Sequence, residues 1–243
     1  MAIESDLRFL SHRDTVRAVE RAAARAHLPV KYTQGFNPHP VLSLACPRPV
    51  GVASLADLAV MQLTRPMPAE RLLGLLNAQA PGGMTFTRAE VLQTKAPPRV
   101  RRVDYDVPIK QAMQAQLADL AAKFNQADAW PVERGADASA QGATGPAKAR
   151  RARTIDLKAL VRDLRLEDGR LRFSLASDGQ VWARPGEVLE AVGLDARADL
   201  ARLVRTNVRY DLDSPSQPLP GFPDRPGAGE QSLQKSPRTG SAK

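Results

Sequence analysis

The N-terminal part of the chain combines short apolar runs with two amphipathic helices. Val16, Val19 and Ala23 recur at a spacing typical of a helix that packs on a sheet. The pattern predicts, in order, a strand over residues 3–10, a helix over 13–26, a strand candidate over 30–33, strands over 41–45 and 57–63, a helix over 68–79 and a strand over 84–92. We interpret this order as β-α-β-β-α-β, a ferredoxin-like layout with helices on one face of an antiparallel sheet.

The C-terminal part repeats this pattern in a degenerate form. Asp168-Gly169 joins two alternating runs and predicts a β-hairpin, and Gly193 follows the last helix as a C-terminal signal. The predicted elements are strands over 103–109 and 130–134, a helix over 110–126, the hairpin over 162–166 and 170–176, a helix over 185–192 and a strand over 203–212.

The predicted fold is therefore α+β, with two tandem ferredoxin-like units of which the second is degenerate. The first unit spans residues 1–93, and a basic linker spans 94–102. The second unit spans 103–212 and contains a Gly/Ala/Ser-rich insertion at 135–147 that we expect to be disordered. Residues 213–243 are rich in Pro, Ser and Gly, and we expect a disordered tail there.

The charge balance points to an anionic partner. The chain of 243 residues carries a formal charge of +9, with an isoelectric point near 10.2. Subtracting the four basic and three acidic residues of the tail leaves 31 basic and 23 acidic residues, a net charge of +8. An arginine-rich composition across a whole genome is the alternative explanation.

Composition also excludes several classes of protein. One cysteine, Cys46, excludes an internal disulfide framework and an iron–sulfur cluster held by this chain alone. No apolar run approaches the length of a membrane span, and Glu4, Asp6 and Arg8 interrupt any signal-peptide core. We therefore predict a cytoplasmic protein without a metal or cofactor. Neither a P-loop nor a G-x-G-x-x-G motif is present.

The helix over residues 13–26 carries the first candidate binding surface. Ser11 and Asp14 form a Ser-x-x-Asp capping signal at its start. Arginines recur every four residues on one side, and this arginine face consists of Arg13, Arg17, Arg21 and Arg25. It is either a solvated outer face or a surface that contacts phosphates.

A proline-rich loop carries the second candidate surface. Two prolines flank His39 and restrict the backbone, so the loop presents its side chains rigidly. Phe36 is the best candidate for stacking on a nucleic-acid base. The loop consists of Gln34, Gly35, Phe36, Asn37, Pro38, His39 and Pro40.

His12 and His39 are the candidate catalytic residues. If the neighbouring strands pair as expected, the two imidazoles lie close together and can serve as acid and base or contact phosphate. A metal site would need further ligands from Cys46, Asp14 or Asn37, and we do not predict one. Cys46 precedes a proline at a predicted strand end and is expected to be buried.

Two further basic clusters extend the candidate surface. If the two units lie side by side, both clusters border one cleft together with the arginine face. The linker contributes Arg99, Arg101 and Arg102, and the edge of the insertion contributes Lys148, Arg150, Arg151 and Arg153.

Two motifs carry a resemblance to a known family. Residues 9–14 read Phe-Leu-Ser-His-Arg-Asp, residues 34–40 read Gln-Gly-Phe-Asn-Pro-His-Pro, and Gly51 follows. The chain resembles the radical-SAM-linked proteins, a bacterial domain of unknown function that occurs alone or fused behind a cobalamin-binding-type radical SAM protein. The match is specific over residues 7–51, looser to 212, and excludes the insertion and the tail.

The chain departs from that family in two places. The family has a fuller first strand, whereas here Met1 falls inside it and Ser5 stands where glycine is usual. We therefore expect either a misplaced start or a shortened edge strand. Of an acidic run after the family's glycine, only Asp57 is retained.

The resemblance implies an accessory role, because one cysteine cannot hold the three-cysteine cluster of a radical SAM enzyme. We predict a non-catalytic module that binds RNA, either tRNA or rRNA, for a separate radical SAM enzyme. One alternative is a metal-independent RNA endonuclease similar to the Cas6 type, using His12 or His39. The other is a protein–protein adaptor that docks through residues 34–40 without RNA.

Overall fold

Strands from both ends of the chain build one central sheet. The computed structural model describes residues 1–92, 98–134, 153–177 and 181–211. The strands are β1 (Ala2–Ile3), β2 (Leu42–Leu44), β3 (Ala53–Ser54), β4 (Ala59–Met61), β5 (Met84–Thr85), β6 (Arg99–Pro108), β7 (Pro131–Arg134), β8 (Arg153–Asp156), β9 (Val161–Glu167), β10 (Arg170–Ala176) and β11 (Val204–Asp211). The helices are α1 (His12–Arg25), α2 (Ala69–Gln79), α3 (Gln111–Gln126), α4 (Leu157–Leu160), α5 (Pro185–Ala191) and α6 (Ala196–Asp199).

The central sheet has seven strands in the order β5-β1-β3-β11-β6-β10-β9. Its pairs are antiparallel, except that β3 and β11 run parallel, with Val204 opposite Ala53. Because β3 and β11 are neighbours, the sheet is continuous across the two predicted units. The division at residues 94–102 stays a prediction.

Two smaller ladders lie outside the central sheet. β2 pairs with β4, and β7 pairs with β8, both antiparallel. Isolated bridges join Val30 to Leu63 and Tyr32 to Pro40. They extend the β2–β4 ladder toward the loop over residues 34–40 and hold the base of that loop.

The buried apolar residues form two clusters. One lies between α1, α2 and the N-terminal strands and includes Ile3, Val19 and Leu76. The other lies between α3, α5 and the C-terminal strands and includes Phe124 and Leu171. Each half of the chain thus has its own core, although the halves share one sheet.

Several predicted elements are confirmed. The class is α+β with a mostly antiparallel sheet. The Asp168-Gly169 hairpin joins β9 to β10 with φ of +52° and +69° at the two turn residues. Gly193, at φ +77°, follows α5 as expected for a left-handed C-terminal residue. The finer prediction of two tandem ferredoxin-like units is not confirmed, because β2 and β4 pair outside the central sheet.

Three predicted segments are wrong in part. Of the strand predicted over residues 3–10, only Ile3 lies in a strand (β1), because the chain turns at Ser5 (φ +50°) into a 3-10 helix over Ser5–Phe9. The strand over 84–92 ends at Thr85, because the Asn77 side chain takes both backbone hydrogen bonds of Phe86, at 2.8 and 2.9 Å. The strand predicted over 103–109 begins earlier than expected, at Arg99, and ends at Pro108.

Some predictions fall on residues that the structure does not describe. These are residues 94–97 of the linker, the insertion at 135–147 with Lys148, Arg150 and Arg151, and the tail.

Candidate nucleic-acid interface

α1 begins with a side-chain cap. Ser11 Oγ accepts a hydrogen bond from the Asp14 backbone N–H at 3.1 Å and donates one to Asp14 Oδ2 at 2.7 Å. The Ser11 hydroxyl and then the Arg17 guanidinium hold the pKa of Asp14 below its ordinary value. The predicted cap is therefore confirmed, and it fixes where the helix starts.

All four residues of the arginine face are exposed, while Ala18, Val19, Ala22 and Ala23 are buried on the opposite side. Arg17 forms an ion pair with Asp14 at 3.3 Å, and Arg25 Nη2 donates to the Gln79 carbonyl at 2.5 Å. Within the described residues, Arg13 and Arg21 form no ion pair. Arg13 and Arg21 thus have no ion-pair partner in the described part of the chain, while the contacts of Arg17 and Arg25 leave further N–H groups of each guanidinium for an external anion.

The chain beside the arginine face is free of acidic residues. From Arg21 to Ala56 there is no Asp or Glu, although this segment contains the end of α1 and the whole of the loop. Lys31 and His39 are both exposed within it. The local charge is therefore positive over a much longer stretch than the helix alone.

The predicted loop closes through a short ladder. The Thr33 N–H donates to the His39 carbonyl at 2.8 Å, and the His39 N–H donates to Thr33 Oγ1 at 3.0 Å. Gly35 has φ +128°, a conformation that side-chain-bearing residues rarely adopt. The loop is therefore held at its base, with its tip in solvent.

The two candidate histidines lie on different structural elements. His12 is the first residue of α1, and His39 closes the loop. Within the described residues, no hydrogen bond or ion pair joins them. The surrounding protein partly removes water from the imidazole of His12, and this desolvation lowers its pKa. The negative charge of Asp57 raises the pKa by less. His12 is therefore less charged at neutral pH than a free imidazole.

The basic cluster of the predicted linker is largely neutralised. Arg101 pairs with Asp211 at 2.6 Å, and Arg102 pairs with Asp104 at 2.6 Å and Asp163 at 2.7 Å. Arg101 on β6 thus pairs with the neighbouring β11, and Arg102 pairs within β6 and with β9, rather than forming a free patch. Arg150 and Arg151 lie outside the described residues.

Sequence reasoning missed a buried ionic cluster that consists of Arg48, Asp57 and Arg205. Arg205 Nη1 lies 2.9 Å from Asp57 Oδ1, and Arg48 Nε lies 3.6 Å from Asp57 Oδ2. The three side chains are 1 to 4% exposed. Ser54 Oγ donates to Asp57 Oδ1 at 2.5 Å. Two buried cations therefore share one carboxylate.

This buried cluster links the start of α1 to the C-terminal strand. Arg48 Nη1 donates to the Arg8 carbonyl at 2.7 Å, and Arg205 lies on β11 and also donates to the Cys46 and Pro47 carbonyls at 3.0 Å. It thus fixes the segment that leads into α1 against the central sheet.

Only part of this cluster left a signal in the sequence. Leu203 and Arg205 are alternate residues, which places the arginine on the buried side of its strand. Asp57 was singled out as the retained acid. Arg48 carried no local signal.

The neighbouring Cys46 is half-buried. Burial raises the pKa of its thiol, and the charge of Arg205 lowers it by less. The thiol therefore stays protonated near neutral pH and is a poor nucleophile, in agreement with the packing role expected for it.

Other kinds of site were searched for in the described part of the chain. It contains no group of three or more His, Cys, Asp or Glu residues arranged to hold a metal ion. None of its helices combines the length and the apolar character needed to cross a bilayer.

The fold and the exposed cationic surface define a basic α+β protein with a candidate anion-binding helix face. The sequence model of a bacterial family, described as "Uncharacterized protein conserved in bacteria (DUF2344)", matches residues 2–185, and the chain belongs to this family. The expectation of a bacterial domain of unknown function is thereby confirmed. A search of curated proteins found no match. The link to radical SAM enzymes stays a prediction.

Proposed function

We propose that this protein binds RNA through the arginine face of α1 and presents it to a separate radical SAM enzyme. The observation that carries the RNA proposal is the exposure of Arg13, Arg17, Arg21 and Arg25 on one side of a capped helix. Cations aligned along a helix neutralise successive phosphates and release their counterions. The absence of acidic residues from Arg21 to Ala56 supports the same conclusion.

The geometry of the helix suits an extended anion. α1 rises about 6 Å over each four-residue interval, so Arg13 and Arg25 are about 18 Å apart along the axis. A small anion would engage one guanidinium group, whereas a polyanion can engage all four. This favours a nucleic-acid backbone over a phosphate-bearing metabolite.

Salt dependence tests the proposal directly. For a single-stranded RNA, four phosphate contacts give a slope of about −2.8 in log K against log salt, a loss of about 50-fold between 50 and 200 mM. Fluorescence anisotropy with a labelled 12-nucleotide RNA measures this slope. The double variant Arg13→Gln/Arg21→Gln is expected to flatten it by about 1.4.

A matched double variant controls for net charge. Arg162→Gln/Arg165→Gln removes two exposed arginines from β9 and lowers the charge by the same amount. It should leave the slope within about 0.3 of the wild-type value. Equal losses in both double variants, or affinity that does not depend on salt, would refute specific binding at the arginine face.

The proposal of a radical SAM partner rests on the resemblance of residues 9–14 and 34–40 to the radical-SAM-linked proteins. The test is recovery of the enzyme with the tagged protein from cells, with and without nuclease. Recovery that requires intact RNA supports presentation of RNA to the enzyme. Recovery unaffected by nuclease supports the adaptor alternative instead.

The proposal includes two tandem ferredoxin-like units, at residues 1–93 and 103–212. The two separate cores support this organisation. Further support comes from the order β11-β6-β10-β9, all antiparallel, with α3 after β6 and α5 before β11. Native-state hydrogen exchange is expected to find two cooperative units, and a single unit would count against this division.

No observation favours the endonuclease alternative. His12 and His39 share no hydrogen bond within the described residues, and the use of either as acid or base stays a prediction.

A further inference from the structure

We infer that the loop over residues 34–40 is a subsite for one unpaired RNA base, which stacks on the ring of Phe36. This inference rests on the proposed RNA binding and names its substrate class as single-stranded or looped RNA. The arginine face supplies the contacts to phosphates, which carry no information about strand pairing. The loop supplies the contact that distinguishes an unpaired nucleotide from a duplex.

Phe36 has no packing role in the described structure. Its side chain is 106% exposed, the largest exposed fraction among the exposed large apolar residues, while most of the other aromatic rings are covered. An exposed phenylalanine gains free energy when any apolar or π surface covers it. The ring at the loop tip therefore has the properties of a contact residue.

The loop holds Phe36 in a defined position. Bonds between Thr33 and His39 close its base, Tyr32 is bridged to Pro40, and prolines stand on both sides of His39. Each restriction lowers the entropy lost when a ligand binds. A flexible loop would lose more conformational entropy when its aromatic side chain binds a ligand.

The surroundings of Phe36 favour a nucleic acid over a protein surface. His39 is exposed on the same loop, Lys31 is exposed just before it, and Tyr32 is 48% exposed. Aromatic rings placed among cations are typical of single-stranded nucleic-acid binding, because each base offers a π face and each nucleotide a phosphate. The loop and α1 also belong to one unit, since Val30 and Leu42 pack in the same core as Val19.

Strand pairing decides whether Phe36 can be used. In an A-form duplex both faces of each base are covered by neighbouring bases, and the deep major groove is closed to side chains. A base in a single strand or a loop is free to leave the stack and cover the ring. The inference therefore predicts that Phe36 contributes to binding of single strands and not of duplexes.

The experiment measures the affinity of the full chain for a 12-nucleotide single-stranded RNA and for a duplex of the same sequence. Phe36→Ala is expected to weaken binding of the single strand about tenfold and to leave the duplex unchanged. Phe36→Trp is expected to restore the single-strand affinity. Val91→Ala, which shortens another exposed apolar side chain (76% exposed), is the control and should change neither.

A fluorescent base gives a second readout that an altered fold does not imitate. 2-Aminopurine in the single strand is expected to be quenched by the wild-type protein and not by Phe36→Ala, whose circular dichroism should match that of the wild type. Single-strand affinity and quenching that survive the substitution would overturn the inference while the proposed salt dependence stands. If the wild type binds neither RNA, the proposed function fails as well. If Phe36→Ala loses only the recovered protein partner, the loop is a protein-docking site and the inference is overturned.

Discussion

Replacing Asp57 by asparagine isolates the contribution of the buried ionic cluster. Asparagine keeps the volume of the side chain but removes the carboxylate that contacts both Arg48 and Arg205. Both guanidinium groups then stay buried without a counter-charge. Asp57 is 4% exposed, so solvent cannot replace the lost charge without opening the junction between β3 and β11.

The expected cost follows from the burial of both partners. Removing one member of a buried ion pair typically lowers the free energy of unfolding by about 3–5 kcal/mol. The backbone carbonyls that accept from both arginines keep the estimate within this range rather than above it. For a chain of this size each kcal/mol lowers Tm by about 2–4 °C, so we expect a fall of about 6–20 °C.

Urea denaturation followed by circular dichroism measures the change without adding salt. Asp163→Asn is the matched control, because Asp163 pairs with Arg102 at 2.7 Å but is 48% exposed. Asparagine also tolerates the φ of +55° at that position, so a change of less than about 1 kcal/mol is expected. If Asp57→Asn destabilises the protein by no more than Asp163→Asn, the cluster does not stabilise the junction.

Three further predictions concern single residues. Ser11→Ala should lower the free energy of unfolding by about 1 kcal/mol, because α1 loses its cap, and thermal denaturation measures this. Because burial raises the pKa of Cys46, a thiol reagent at pH 8 should react far more slowly with the native protein than in urea. Because the pKa of His12 lies below its ordinary 6.5, unfolded His12 binds a proton at a higher pH than folded His12. Stability should therefore rise with pH through the window below 6.5, and urea midpoints should show this rise flattened in His12→Gln.

Local signals in the sequence predicted the elements whose causes are local. Ser11 with Asp14 marked the start of α1, and Asp168-Gly169 marked the turn between β9 and β10, because capping and turn geometry depend on neighbouring residues. The exposure of the arginine face followed from helical periodicity in the same way.

The errors arose where distant residues decide the structure. The strand predicted over 103–109 begins earlier, because residues 99–102 pair with β11 about a hundred positions later, and Arg101 faces Asp211 there. The strand predicted over 84–92 is much shorter in the structure, because the Asn77 amide forms hydrogen bonds with the backbone groups of Phe86. The partner of Arg101 lies 110 positions away, outside any local window, whereas Asn77 lies nine positions from Phe86, in the preceding helix.

For the same reason, the sequence predicted some residues of the candidate site and not others. The arginine face and Phe36 were identified from residue type and spacing. The buried cluster was not, since Asp57 and Arg205 are separated by 148 positions and meet only through the sheet. The proximity expected for His12 and His39 stays a prediction.

The parallel contact between β3 and β11 has a consequence for synthesis on the ribosome. Asp57 leaves the tunnel long before Arg205, because 148 residues separate them. At about 5–20 residues per second, this delay is about 7–30 s. During that time the carboxylate lacks its second cation and the edge of β3 is open to other chains. The nascent N-terminal half is therefore expected to need protection by a chaperone until its last strand emerges.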